Sequence, residues 1–227
     1  MEYKIMGTTV PAVELNLSKG EAVFSQKGGL AWMTEGINME TNTKGGLLKG
    51  LGRVFAGESL FMVTYTGLKD NAQIAFASTV PGSVIPINVS EREYIIQKGA
   101  FLAGKTSVEL KTVFTKRVSS GLFGGEGIIM QSIRGSGLCF LEVDGDVVEK
   151  ELANGEIIKV DTGNIVAFES SIKYEVETVK GLGNIFFGGE GLFLTKLTGP
   201  GKVILQTQNF ADFACRISKY IPTNTSN

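Results

Sequence analysis

The sequence predicts an all-β body made of three repeated units around a pseudo-threefold axis, followed by a short C-terminal helix. Three observations carry this reading. Glycine occupies 30 of 227 positions, near twice its ordinary share of about 7%, while proline occupies only 5. A four-residue motif, F-x-G-E, occurs three times with matching surroundings. Most of the chain between the glycines consists of short β-branched and aromatic runs and lacks the 3.6-residue apolar period of a helix.

The repeat is defined by spacing. Phe55-Ala56-Gly57-Glu58, Phe123-Gly124-Gly125-Glu126 and Phe187-Gly188-Gly189-Glu190 are each followed, nine residues after the Glu, by Gly67, Gly135 and Gly199. The intervening stretches, Leu60 to Tyr65, Ile128 to Ile133 and Leu192 to Leu197, are apolar. A second motif precedes each copy. Glu21 leads to Gly28 and Trp32, Glu93 to Gly99 and Ala103, and Glu156 to Gly163 and Phe168, with the middle copy one residue shorter. The units therefore run near 13–78, 85–143 and 148–208. A unit of about 65 residues is marginal as a lone domain, so the three are expected to share one core.

Within the units, Phe61 to Tyr65, Ile157 to Val160 and Lys202 to Thr207 read as strands. Arg134-Gly135-Ser136-Gly137 and Thr198-Gly199-Pro200-Gly201-Lys202 fall between such runs as hairpin turns, where glycine reaches positive φ without steric cost. Gly50 to Phe55 and Gly181 to Phe186 resemble each other and suggest a helical turn before two of the F-x-G-E motifs. Over 209–220, Phe210, Phe213, Ile217 and Tyr220 fall at near-helical spacing between an N-cap, Asn209, and Pro222. That helix is expected to cover an open barrel end or a sheet edge.

Charge and composition exclude several function classes. With 22 Lys+Arg against 23 Asp+Glu the net charge is -1, so the chain lacks the electrostatic footprint of a polyanion binder and no nucleic acid is expected as partner. The absence of histidine removes His-ligated metals, Ser-His and Cys-His nucleophilic pairs and an imidazole switch. Cys139 and Cys215 stand in apolar settings and are expected to be two buried, reduced thiols. The chain shows neither a signal peptide pattern nor a transmembrane segment, so a cytoplasmic location is expected, with membrane association limited to the periphery.

The order Met6-Gly7-Thr8, Gly28 to Met33, Gly45 to Leu48, Pro81-Gly82, Gln97 to Ala103, Gly121 to Gly127, Asp161 to Glu169 and Phe187 to Phe193 resembles the altered-inheritance-of-mitochondria family over nearly the whole chain. This resemblance implies a fold like that of the tryptophan RNA-binding attenuator protein, a short double-stranded β-helix present three times per chain. It implies no catalytic residues and no ligand, and the mitochondrial relatives point to organisation of inner-membrane complexes. Many members carry His where this chain has Asn164, so a metal role resting on that position does not carry over.

Two motifs could carry chemistry. Gly99 to Thr106 matches G-x-x-x-x-G-K-[ST], in which glycine amides would cradle phosphate and Lys105 and Thr106 would serve phosphate and Mg²⁺. That use requires a helix after the loop, whereas Val108, Leu110, Thr112 and Phe114 alternate as a strand does. Glu58, Glu126 and Glu190 occupy equivalent places and, if they pointed to the axis, could hold a hard cation. Without a cation such carboxylates would repel, so hydrogen bonding within their glycine-rich turns is the leading expectation for them and for Glu21, Glu93 and Glu156. Trp32 is expected in the core, and Lys111, Lys116 and Arg117 on a solvated face. The reading that follows is a non-enzymatic interaction or scaffold protein without a cofactor, self-associating and bound to other proteins. The alternative is a small-ligand or cation-binding protein using Glu58, Glu126 and Glu190.

Overall fold

A computed structural model describes residues 1–26, 28–41, 62–116, 128–179, 192–218 and 220–221. Among them, strands account for nearly all regular structure. They are β1 (Glu2–Met6), β2 (Ala12–Leu17), β3 (Ala22–Gln26), β4 (Leu30–Met33), β5 (Ile37–Thr41), β6 (Met62–Gly67) and β7 (Ala72–Ala77). Then follow β8 (Gly82–Asn88), β9 (Tyr94–Gln97), β10 (Phe101–Lys105), β11 (Val108–Lys116), β12 (Ile128–Gly135) and β13 (Leu138–Asp144). The last are β14 (Val147–Leu152), β15 (Ile157–Asp161), β16 (Ile165–Glu169), β17 (Lys173–Val179), β18 (Leu192–Thr198) and β19 (Gly201–Gln206), before a single α-helix, α1 (Phe210–Ser218). The fold is all-β, as the sequence predicts. The proposed helical turns at Gly50 to Phe55 and Gly181 to Phe186, and all three F-x-G-E motifs, lie outside the described residues.

Among the described residues every strand pairing is antiparallel, and the strands form four sheets. Two have six strands, in the orders β5-β6-β3-β10-β13-β8 and β11-β12-β9-β16-β19-β14. The other two are β1-β2-β7-β4 and β15-β18-β17. The six-stranded sheets are built alike, because each joins a three-stranded half to a second half through one strand pair. In the first, β10 lies on β3 with Ala103 opposite Ser25, Gly104 opposite Phe24 and Lys105 opposite Val23. In the second, β16 lies on β9 with Ala167 opposite Ile96, Phe168 opposite Ile95 and Glu169 opposite Tyr94. A register shift recurs one strand away, between Phe101 and Ala103, between Ile165 and Ala167, and between Leu30 and Trp32.

Core side chains meet across the two joints. Phe24 and Phe101 stack across the first with ring centroids 5.0 Å apart, amid Met62, Cys139, Leu141 and Ile204. Ser25 is fully buried there, and its hydroxyl donates to the Leu102 carbonyl at 2.8 Å. A second cluster gathers Leu15, Ile74, Phe76 and Phe140, and a third gathers Ile95, Met130, Ile165, Phe168 and Leu197. Burial of such aromatic and branched side chains, at about 1.5–3 kcal/mol each, is the main favourable term of folding.

The glycine turns sit where the spacing places them, between β12 and β13 and between β18 and β19. At the second, Gly199 N–H donates to the Glu156 carbonyl at 2.9 Å and its own carbonyl accepts from Gly155 at 3.2 Å. Gly67 makes the same pair with Glu21 and Gly20, at 2.9 and 2.7 Å. The chain passes so close that a β-carbon on Gly199 would collide with the Ala153 carbonyl oxygen.

Three expectations are corrected. Trp32 is not in the core but 45% exposed, because β4 ends its sheet and borders only β7 among the described strands. Its indole N–H donates to Glu14 Oε2 at 3.2 Å instead. Cys139 is a buried free thiol, pushed up to about 12 by burial, but Cys215 is exposed. The reason is that none of the residues of α1 is buried, so among the described residues it seals neither a barrel end nor an edge.

Two polar groups are poorly accommodated. Gln131 on β12 is fully buried, and among the described residues neither its Nε2 nor its Oε1 has a hydrogen-bond partner. Asp144, at the end of β13, is pushed from 3.8 up to about 6 by burial, reinforced by the charge of Glu142. The folded chain thus keeps a proton that the unfolded chain has released, and stability falls as pH rises from about 4 to about 6.

Three outcomes are expected. Gly199→Ala lowers stability by about 1–3 kcal/mol through overpacking against the Ala153 carbonyl, and an unchanged urea midpoint would contradict the close approach. Gln131→Met removes an unsatisfied amide and raises stability by about 1–3 kcal/mol, equivalent to about 2–4 °C in Tm per kcal/mol. A lowered Tm would show that the amide is satisfied. Asp144→Asn is more stable than the parent at pH 7.5 by about 1–3 kcal/mol, with the advantage gone at pH 4. A pH-independent difference would remove the titration as its cause.

Candidate functional site

The carboxylates singled out by the repeat divide into two sets. Glu58, Glu126 and Glu190 lie outside the described residues. Of the others, Glu21 and Glu156 serve their turns. Glu21 Oε2 accepts from the Ser18 amide at 3.3 Å, and Glu156 Oε2 accepts from the Ala153 amide at 2.8 Å, the same three-residue reach in each case. Burial opposes charge on Glu21, but the Ser18 amide, the Met1 ammonium at 3.3 Å and Lys105 at 3.4 Å outweigh it and hold its carboxyl below the usual range. Glu93 enters through its backbone, whose carbonyl accepts from Ser170 at 3.0 Å. Among the described residues, no three His, Cys, Asp or Glu side chains come together as a metal-binding group.

The phosphate-loop match is folded differently from a phosphate loop. Lys98–Ala100 forms a 3-10 turn, Phe101–Lys105 is strand β10 within the core, and β11 follows where a helix would be needed. Lys105 is committed to Glu21. Asn164 is likewise structural, donating through Nδ2 to the Gln206 carbonyl at 2.8 Å. Of the basic residues singled out, Lys111 is exposed on β11, while Arg117 and the Lys116 side chain lie outside the described residues.

Beside single exposed apolar side chains such as Tyr3, Met39 and Leu68, two stretches of apolar contact area on the described surface bear on function. The first is α1. Asn209 caps it, with Oδ1 accepting from the Ala211 and Asp212 amides at 3.1 and 3.3 Å, and Asn209 Nδ2 ties the cap to Asp161 Oδ1 on β15 at 3.3 Å. Burial raises the Asp161 carboxyl, with the Gly163 amide opposing and the Asp212 charge adding. From that anchor the helix presents Phe210, Phe213 and Ile217, 49%, 42% and 44% exposed, at i, i+3 and i+7 on one face, with Ile221 beyond. No helix among the described residues is long and apolar enough to cross a membrane.

The second place is a pair of sheet ends. β4 (Leu-Ala-Trp-Met) carries no charge and exposes Trp32 and Met33, and β15 exposes Ile157. Sequence reasoning missed β4 as an edge, although a signal was present. Where the other two copies carry Ala103 and Ala167, small enough to lie under a neighbouring strand, the first carries the one tryptophan of the chain.

Comparison with known proteins agrees with this architecture. The chain is 28% identical over 224 residues to an uncharacterised protein of Streptococcus pyogenes serotype M6, covering 95% of this chain and 89% of the relative. A crystal structure of a Streptococcus pyogenes protein superposes with a TM-score of 0.78 at 26% identity, covering 97% of this chain and 99% of that one. The model of the mitochondrial biogenesis AIM24 family matches residues 3–208. The chain therefore belongs to the AIM24 family.

Proposed function

We propose that the chain is a non-enzymatic interaction or scaffold protein, built of three short double-stranded β-helix units and contributing to the organisation of membrane-associated complexes. The units span 13–78, 85–143 and 148–208 about a pseudo-threefold axis. Support for the units comes from the like construction of the two six-stranded sheets, the recurring register shift and the matching turns at Gly67 and Gly199. The family description, mitochondrial biogenesis, supports the link to membrane complexes.

The observation that carries the interaction reading is α1. The capped helix presents three large apolar side chains on one face, all more than two-fifths exposed, and none of its residues is buried. Exposed contiguous apolar surface costs solubility and is retained where something binds it. The helix is short, so its contact is a helix laid into a partner's groove.

Affinity capture from the membrane and soluble fractions of the source, with the full chain as bait, tests this. Wild type is expected to recover a defined set of proteins at constant stoichiometry. Phe213→Ser with Ile217→Ser, which leaves the β body intact, should reduce their recovery at least tenfold. Unchanged recovery would remove α1 as the contact. A chain recovered bare, but carrying a stoichiometric divalent cation in native mass spectrometry that Glu58→Gln, Glu126→Gln and Glu190→Gln abolish, would replace the interaction reading with the cation-binding one.

A further inference from the structure

The sheet orders contain an unused joint. Each six-stranded sheet is made when a strand of one kind (β3 or β9) receives a strand of another (β10 or β16) on its free side. The same two kinds occur once more. β15 stands to β18 and β17 as β3 stands to β6 and β5, and β4 stands to β7 and β2 as β10 stands to β13 and β8. Yet β15 and β4 end separate sheets, and among the described strands each has a neighbour on one side only.

The side chains tell the same story. Residues at the two formed joints are sealed: Ser25, Ala103, Ile96 and Ala167 all have zero exposure. Counting from Gly199 as from Gly67 and Gly135, the counterpart of Ser25 and Ile96 is Val160; counting from the register shift, the counterpart of Ala103 and Ala167 is Trp32. Trp32 and its neighbour Met33 are 45% and 40% exposed, and Ile157 at the start of β15 is 53% exposed. An uncharged, apolar strand edge left open is a template for a further strand.

The geometry points to a second copy of this chain as the occupant: β4 of one copy pairs antiparallel with β15 of the next, with Trp32 opposite Val160, Met33 opposite Lys159 and Thr34 opposite Ile158. This inference rests on reading the chain as three like units. A second copy is the occupant because β4 and β15 fit each other as the strands of the formed joints do, yet in the folded chain they end different sheets and are not paired with each other, so the threefold arrangement stays open at this joint. Each copy carries one edge of each kind. The contact is therefore heterologous, and it propagates head to tail until it closes into a ring. β4 brings no charge, Lys159 is already paired with Glu177 at 2.8 Å, and Asp161 at the end of β15 keeps the Gly163 amide and Asn209 Nδ2 as its donors when the strands meet.

Disulfide trapping tests the joint. In a Cys215→Ser background, a tagged Met33→Cys chain and an untagged Lys159→Cys chain are co-expressed and oxidised gently. Cα atoms of residues opposite each other on paired strands lie about 4.5–5.5 Å apart, within disulfide reach. The expected result is a covalent dimer of one tagged and one untagged chain, absent when either variant is expressed alone, and a wild-type native mass that is a multiple of 24.3 kDa. Two results would overturn the proposal: no mixed dimer, or a doubly substituted chain that closes its disulfide within one monomer. A Val23→Cys, Lys105→Cys chain serves as the control for the formed joint. Failure of its internal disulfide would defeat the reading of the units. Success of the control with no mixed dimer would defeat only the contact between copies.

Discussion

A β-sheet ends in a row of backbone N–H and C=O groups that must find partners or face water, and the disposal of those rows governs this molecule. Two of them are met inside the chain, where β3 receives β10 and β9 receives β16. These joints fuse halves into six-stranded sheets and bring Phe24 against Phe101 and Ile95 against Phe168. The three hydrophobic clusters gather around these contacts, so strand pairing and core formation are a single event. Were either joint to part, residues with zero exposure would meet water together.

The turns supply the second constraint. Gly67 and Gly199 each exchange two backbone hydrogen bonds with a tight loop earlier in the chain, and Glu21 and Glu156 close those loops from within by accepting an amide three residues back. Glu21 and Glu156, expected to hydrogen-bond within their turns, are thus part of the mechanism that fixes where the strands start. The charge of Glu21 is held by the Ser18 amide, the Met1 ammonium and Lys105.

The described surface is correspondingly sparse in chemistry and rich in contact area. Polar side chains are spent inward: Thr162 on Thr195 at 2.9 Å, Gln206 on the Gly163 carbonyl at 2.8 Å, and Glu142 on Ser78 at 2.8 Å. Arg92 is spent on Glu169. Apolar side chains, by contrast, are left over on α1, β4 and β15.

The sequence by itself determined the fold class, the hairpin turns and the capped C-terminal helix, because each follows from local chemistry. Glycine spacing sets where the chain can reverse, β-branched runs set what lies between, and Asn209 followed by Phe210, Phe213 and Ile217 specifies a helix start and one apolar face. The tertiary structure decided which surfaces are covered. Trp32 and Cys215 sit in runs as apolar as those around Phe101 and Cys139, yet they are exposed, because burial depends on whether a neighbour arrives from far along the chain. For β10 that neighbour is β3, some 77 residues away at the Ser25–Leu102 contact. For β4 no described strand fills the place, and for α1 no groove among the described residues buries it. Local sequence fixes the shape of an edge, and only long-range pairing fixes what meets it.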